Sequence, residues 1–282
     1  MKQNVNKTAI CRTIFIAIIF LVLSGNILSQ NNSEGKIFKS SINQLIVKGN
    51  ITVYIVQDIE QKIYFRGNNK TLKQIKTSVK NNVLTLSKGY SLNNERVTVF
   101  LTIDNLKSIK TSGDVIIETP TNIWLNKLSL DLSEETEALF FINSNQLDLT
   151  VSGSGFLNIS GYIDTLIITG TEDAEIDGNI KSYKLSCTTS NFCNITLKGT
   201  VFKSFLSASN LSSIDLTNCE VGKSLIVAYN NSKVKVNSSD LTDIWAFNKS
   251  SVSYKSANQA TISESTKVSQ IKKNSYKIYA KK

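Results

Sequence analysis

The 282-residue chain contains no histidine, a single proline and only three arginines. Without histidine the commonest general base and the commonest zinc ligand are missing, which excludes Ser-His-Asp, Cys-His and His-based metal chemistry. Any catalytic site would have to be built from carboxylates, lysines, tyrosines or the arginines. Cysteine is scarce as well, with Cys11 near the start and Cys187, Cys193 and Cys219 in the body. The three in the body are too few, and lack partners, for a zinc site, and permit one disulfide plus a free thiol or none. A Cys187–Cys193 bridge requires the two α-carbons to lie within about 7 Å.

Long hydrophobic runs are also absent. The one apolar run, Ile14 to Leu23, has ten residues, too few to span a bilayer. Lys2, Lys7 and Arg12 precede it and small or polar residues follow, which predicts a secretory signal peptide over residues 1–29, cut near Ser29. Cys11 lies before the apolar run, so it is not placed like the acylated cysteine of a lipoprotein signal. After cleavage no transmembrane segment is expected.

Positive charge is concentrated at the C-terminus. The whole chain carries 32 basic and 22 acidic residues, and residues 272–282, KKNSYKIYAKK, hold five of the lysines. Residues 30–271 are nearly balanced, with 24 basic and 22 acidic. The basicity therefore belongs to a solvated terminal tail rather than to a stripe on a folded face, and no nucleic-acid partner is expected.

From residue 106 onward the sequence repeats itself. Leu147, Leu149 and Val151, a small-residue stretch, then Leu157 and Ile159 recur 19 residues later as Leu166, Ile168 and Gly170 with Ala174 and Ile176. Further copies follow at spacings of 18 to 21 residues. Alternation at period two marks strands with one buried face. One such unit cannot bury that face alone, whereas stacked units share a continuous core. The expected fold is all-β, a right-handed parallel β-helix of about 20 residues per rung. Asn191, Asn210, Asn230 and Asn248 fall at successive corners, where asparagine tolerates left-handed backbone and can form stacked amide ladders. In this frame VSGSGFLNISG (residues 151–161) is a corner of one rung. A phosphate cradle would need a helix after it, and a strand follows.

Residues 36–105 carry longer alternating runs separated by Gly-Asn and Asn-Asn turns, which predict strands that begin or cap the solenoid. The organisation expected is a signal peptide (1–29), an N-terminal β-strand region continuous with the solenoid (30–105), the repetitive solenoid (106–271) and the tail (272–282).

The ordered set INQLIVKGNITVYIVQ, IYFRGNNKTLKQIKTSVKNNVLTLSKG and RVTVFLTIDNLKSIKTSGDVII resembles the bacterial family described as putative auto-transporter adhesin, head GIN domain, over roughly residues 38–260. The resemblance implies an exported β-helical protein, periplasmic or on the surface, of Gram-negative bacteria related to Bacteroidetes. It supplies no catalytic residues and no cofactor. Asp104 departs from it, standing where a proline is expected before Leu106.

The remaining candidates are few. Glu172, Asp173, Glu175 and Asp177 form an acidic corner, readable as a calcium site or as a solvated bend; Glu134, Glu135 and Glu137 form another. Cys187 is expected to stack with Leu149, Ile168, Ala208, Ala228 and Phe247, and Cys193 with Gly155, Ala174, Ser212 and Ser232, as packing residues rather than reactive thiols. Trp124, Tyr162, Tyr183 and Tyr229 are candidate glycan contacts, although no two of them share a column in the repeat as aligned; Trp245 aligns with core positions. The expected function is a non-enzymatic, exported binding surface for adhesion, directed at a glycan or cell-envelope component. A carbohydrate-active lyase or hydrolase on the same scaffold and a purely structural envelope protein are the alternatives.

Overall fold

A computed structural model describes residues 32–37, 41–89, 95–239, 242–255, 261–265 and 269–273. The expected signal peptide and the tail beyond residue 273 lie outside them. The chain is a right-handed β-solenoid of about eight turns, with roughly 19 residues per turn and about 72% of the described residues in strands. No helix among the described residues is long and apolar enough to cross a membrane.

The regular part comprises β10 (Ile123–Leu132), β11 (Glu137–Val151), β12 (Phe156–Gly170), β13 (Glu175–Thr189), β14 (Asn194–Ala208) and β15 (Ser213–Ala228). Each pairs in parallel with the next. After β15 the turn divides into shorter strands: β16 (Lys233–Ser238), β17 (Thr242–Ala246), β18 (Ser251–Lys255), β19 (Thr261–Ser265) and β20 (Gln270–Lys273). In β12 the inward residues are Leu157, Ile159, Ile163, Leu166 and Ile168, all buried. Their period-two alternation changes phase between Ile163 and Leu166, where the strand bends. Like residues pile into columns along the axis, so every rung completes the burial of its neighbours. A fully buried aliphatic side chain contributes about 1.5–3 kcal/mol.

Tight corners close each turn. Asn191, Asn210, Asn230 and Asn248 occupy them with φ of 55°, 52°, 50° and 50°. Their amides form a ladder: Asn210 Nδ2 donates to Asn191 Oδ1 at 3.1 Å, Asn230 to Asn210 at 2.9 Å and Asn248 to Asn230 at 2.9 Å. Earlier turns place Glu134, Gly153 and Glu172 at the same corner position, also with positive φ. Residues 151–161 are thus a corner and the strand that follows it.

Two expected alignments are corrected. Cys187 pairs with Ile168 and Leu206, and the column continues to Ile226 and Ile244. Ala208, Ala228 and Phe247 stand outside it. The slips from Leu206 to Ala208 and from Ile226 to Ala228 are of two residues, which keep every side chain on its own face, so alternation alone does not detect them; Phe247 is three residues from Ile244. Trp245 pairs with Val227 and points outward between buried Ile244 and Ala246. That turn is one residue shorter than the usual 19, and an odd change in length reverses which residues face inward.

The N-terminal region is wound out of order. Its strands are β1 (Asn32–Ile37), β2 (Gln44–Gly49), β3 (Ile51–Gln57), β4 (Lys62–Gly67), β5 (Ile75–Lys80), β6 (Val83–Lys88), β7 (Val97–Ile103), β8 (Ser108–Ser112) and β9 (Val115–Glu118), with one short helix, α1 (Asn69–Leu72). β2 lies between β6 and β8, and β3 between β7 and β9, all in parallel. The turn made by residues 44–57 is therefore flanked on both sides by later chain. β4 and β5 run antiparallel along the outer edges of β7 and β6, and β1 pairs with β4. This antiparallel layer covers the end that a bare solenoid would expose. Where three turns meet, Asp114 accepts from the Arg96 guanidinium and, at 3.1 Å, from Asn50 Nδ2. The Asp104 carbonyl accepts from Gln57 Nε2 at 2.9 Å.

Candidate functional site

The bend of each long strand is made by backbone that approaches the previous turn closely. Gly161 and Gly199 sit there with φ of 149° and 110°, and a β-carbon at either would lie 1.8 Å from the Ile142 carbonyl oxygen or 2.0 Å from that of Ile180. With no side chain at these points the surface sinks into an open groove of about 370 Å³ that crosses five consecutive rungs. Asn143, Ser160, Asn179, Lys181 and Thr200 are among its lining residues, and no carboxylate lines it.

Trp124 pairs with Asn143, and the Asn143 side chain accepts from the Tyr162 amide at 2.9 Å. Tyr162 in turn pairs with Lys181, and Lys181 with Thr200. Trp124 and Tyr162 thus share one outward column two rungs apart, contrary to the sequence alignment, at the rim of the groove. Trp124 is 67% exposed and Tyr162 50%. Gln57 fixes the backbone at Trp124, donating to its carbonyl and accepting from its amide, both at 2.8 Å.

Tyr183 lies beside this column, and its ring stacks on Phe202 with centroids 5.0 Å apart and planes 14° from parallel. Phe202 was not singled out in the sequence; its position 19 residues after Tyr183 was the available signal. Tyr229 stands apart at the tight corner, stacked on Phe247 at 4.9 Å. Exposed Phe192 and Leu211 belong to that same corner edge. The structure therefore gathers three of the four aromatic candidates at the bend and leaves the fourth elsewhere.

The acidic corner does not converge. Glu172 turns back to accept from the Gly153 amide at 2.7 Å, while Asp173 and Glu175 are exposed. Among the described residues no three His, Cys, Asp or Glu side chains gather as a metal site. The carboxylates with displaced ionisation, Glu118 and Asp215, are not among the groove's lining residues. Burial and the neighbouring Glu137 raise Glu118. For Asp215, burial acts upward but is outweighed by hydrogen bonds from Thr217 and Lys235, which hold the carboxyl below its ordinary value.

Cys187, Cys193 and Cys219 are free and buried. Burial pushes all three thiols up, Cys219 to about 12. Cys193 stacks between Ala174 and Ser212, as their neighbours' register requires. Its sulfur fills space beside Gly170, where a β-carbon would come within 2.3 Å. These are packing positions with no access for a reagent.

Residues 42–179 match the model of the family described as putative auto-transporter adhesin, head GIN domain, a shorter stretch than the resemblance suggested. No curated protein matches the sequence. Among solved structures the fold is similar to a putative adhesin from Parabacteroides merdae, at TM-score 0.64 and 13% identity, over 87% of this chain and 97% of that one. It is similar to a putative lipid binding protein from Parabacteroides distasonis, at TM-score 0.59 and 16% identity, over 86% and 97%. A putative adhesin from the same species aligns at TM-score 0.54 and 17% identity, over 87% and 98%.

Proposed function

Residues 42–179 belong to the head GIN domain family, and from that premise we propose that the chain is an exported, non-enzymatic scaffold whose bend edge binds a glycan or another cell-envelope component. The observation that carries this reading is the placement of Trp124 and Tyr162, two rungs apart, in one exposed column along a groove five rungs long. Aromatic rings offer apolar faces to sugar rings, and the groove's amide and hydroxyl side chains supply the orienting hydrogen bonds. Glycoside hydrolysis requires a pair of carboxylates flanking the scissile bond, and the groove lining contains none. The family and two of the fold neighbours are described as adhesins, which agrees with a binding role, and the sequence pattern of residues 1–29 agrees with export.

The test is an array of glycans and envelope fractions probed with the full chain, with mass spectrometry of the bound polymer. Binding that Trp124→Ala and Tyr162→Ala together weaken, without release of fragments, is the expected result. Depolymerisation of any bound glycan would overturn the non-enzymatic reading.

A further inference from the structure

Beside the aromatic edge runs a column of lysines. Lys184 pairs with Lys203, and Lys203 with Lys223, on three consecutive strands. Neighbouring strands lie about 4.8 Å apart, and like charges directly opposite one another destabilise a sheet. Elsewhere on the solenoid the same kind of cross-rung position carries compensation: Lys110 pairs with Asp131 at 3.3 Å, Lys127 with Asp148 at 3.0 Å and Lys235 with Asp215 at 2.9 Å. Lys184 and Lys203 are exposed and have no carboxylate partner among the described residues. Lys203 instead holds its ammonium 5.6 Å from the Tyr183 ring centre and 5.7 Å from that of Phe202. The ring stack ends at Phe202, because the residue beside it on the next rung is Gly222, which has no side chain to cover it. Lys181, exposed at the groove, adds a further positive charge on the same edge.

We infer that this edge binds an acidic polysaccharide lying along the solenoid axis, its carboxylates or sulfates matched to the lysine column and a sugar ring seated on the uncovered face of Phe202. The inference rests on the glycan-binding reading above and specifies the charge, direction and contact residues of the ligand. A linear polyanion suits the geometry because the positive charges repeat in one line at rung spacing, and the stack gives that line an apolar end. An anionic bilayer is the competing occupant, and it would engage charge over an area rather than along a line.

Binding of the full chain to alginate, a polyuronate, to dextran, a neutral glucan, and to phosphatidylglycerol vesicles separates these cases. The expected result is alginate binding that weakens with added salt. Changing Lys184 and Lys203 together to Gln should weaken it about tenfold, and Phe202→Ala should weaken it with the salt dependence retained. Melting temperatures of the variants no lower than that of the unaltered chain would establish that they fold, and relief of the lysine repulsion should raise that of the Gln variant. Equal binding of dextran and alginate, indifferent to the lysine changes, would overturn the acidic-ligand inference and leave the glycan reading standing. Vesicle binding lost with the lysines, without alginate binding, would overturn it in favour of a lipid surface. Failure to bind any of the three, on a protein that also fails on the glycan and envelope array, would overturn both readings.

Discussion

Asn230 donates from Nδ2 to the Oδ1 of Asn210 at 2.9 Å, and both residues hold left-handed backbone, at φ of 50° and 52°. One side chain thus serves two purposes, since asparagine tolerates this backbone and its amide also joins one turn to the next. Asn210→Ala should lose about 2 kcal/mol, combining strained backbone with two lost hydrogen bonds. Asn210→Gly keeps the backbone unstrained and should lose about half as much. Urea unfolding of the two variants checks the order; an equal loss would mean that the backbone conformation contributes nothing.

At Gly161 the bend leaves no room for a side chain, with the Ile142 carbonyl oxygen 1.8 Å from where a β-carbon would be. Gly161→Ala should destabilise the chain by about 4 kcal/mol or more. Gly89→Ala, where nothing lies within 4 Å, should be close to neutral. Thermal melting of both variants is the measurement.

The buried thiols make stability depend on alkaline pH. In the unfolded chain they ionise near their ordinary value of 9.0, whereas burial raises all three in the folded state. Below that ordinary value both states keep the proton and the full stability is present. As pH rises further the unfolded chain releases protons that the folded chain retains, so stability falls by up to about 1.4 kcal/mol per pH unit for each thiol. Replacing Cys219 by Ala should flatten the fall, read from urea midpoints between about pH 8 and pH 11. Iodoacetamide should label the cysteines only after unfolding.

The acidic corner is predicted to be a solvated bend. Calcium at about 5 mM, above the dissociation constants of weak extracellular sites, should leave the melting temperature unchanged. A rise that Glu172→Gln abolishes would instead identify a cation site.

Much of the solenoid is readable in the sequence because its determinants are local and periodic. The 19-residue recurrence of apolar pairs and the Asn210 column both follow from one turn lying on the next. What escaped reading was non-local or depended on phase. Cys187 was displaced by two residues because such a slip changes no face, and Trp245 was turned inward because its turn is one residue short. The column joining Trp124 to Tyr162 was hidden since Trp124 precedes the first regular repeat, and its partner is fixed only by the pairing of β10 with β11.

The interleaved start of the solenoid has a consequence for how the chain reaches its fold. Residues 44–57 are made before either of their neighbours, and both edges of that turn wait for strands ending at Ile103 and Glu118. Winding cannot proceed serially from the first turn; strands β2 to β9 must close as one cooperative block, held where Asp114 meets Arg96 and Asn50. Only from Ile123 onward does each new turn find its template already in place, so the rest can grow rung by rung. A nascent chain therefore has a fixed commitment point, and truncation before it should leave no stable remnant, whereas truncation after it should shorten the rod.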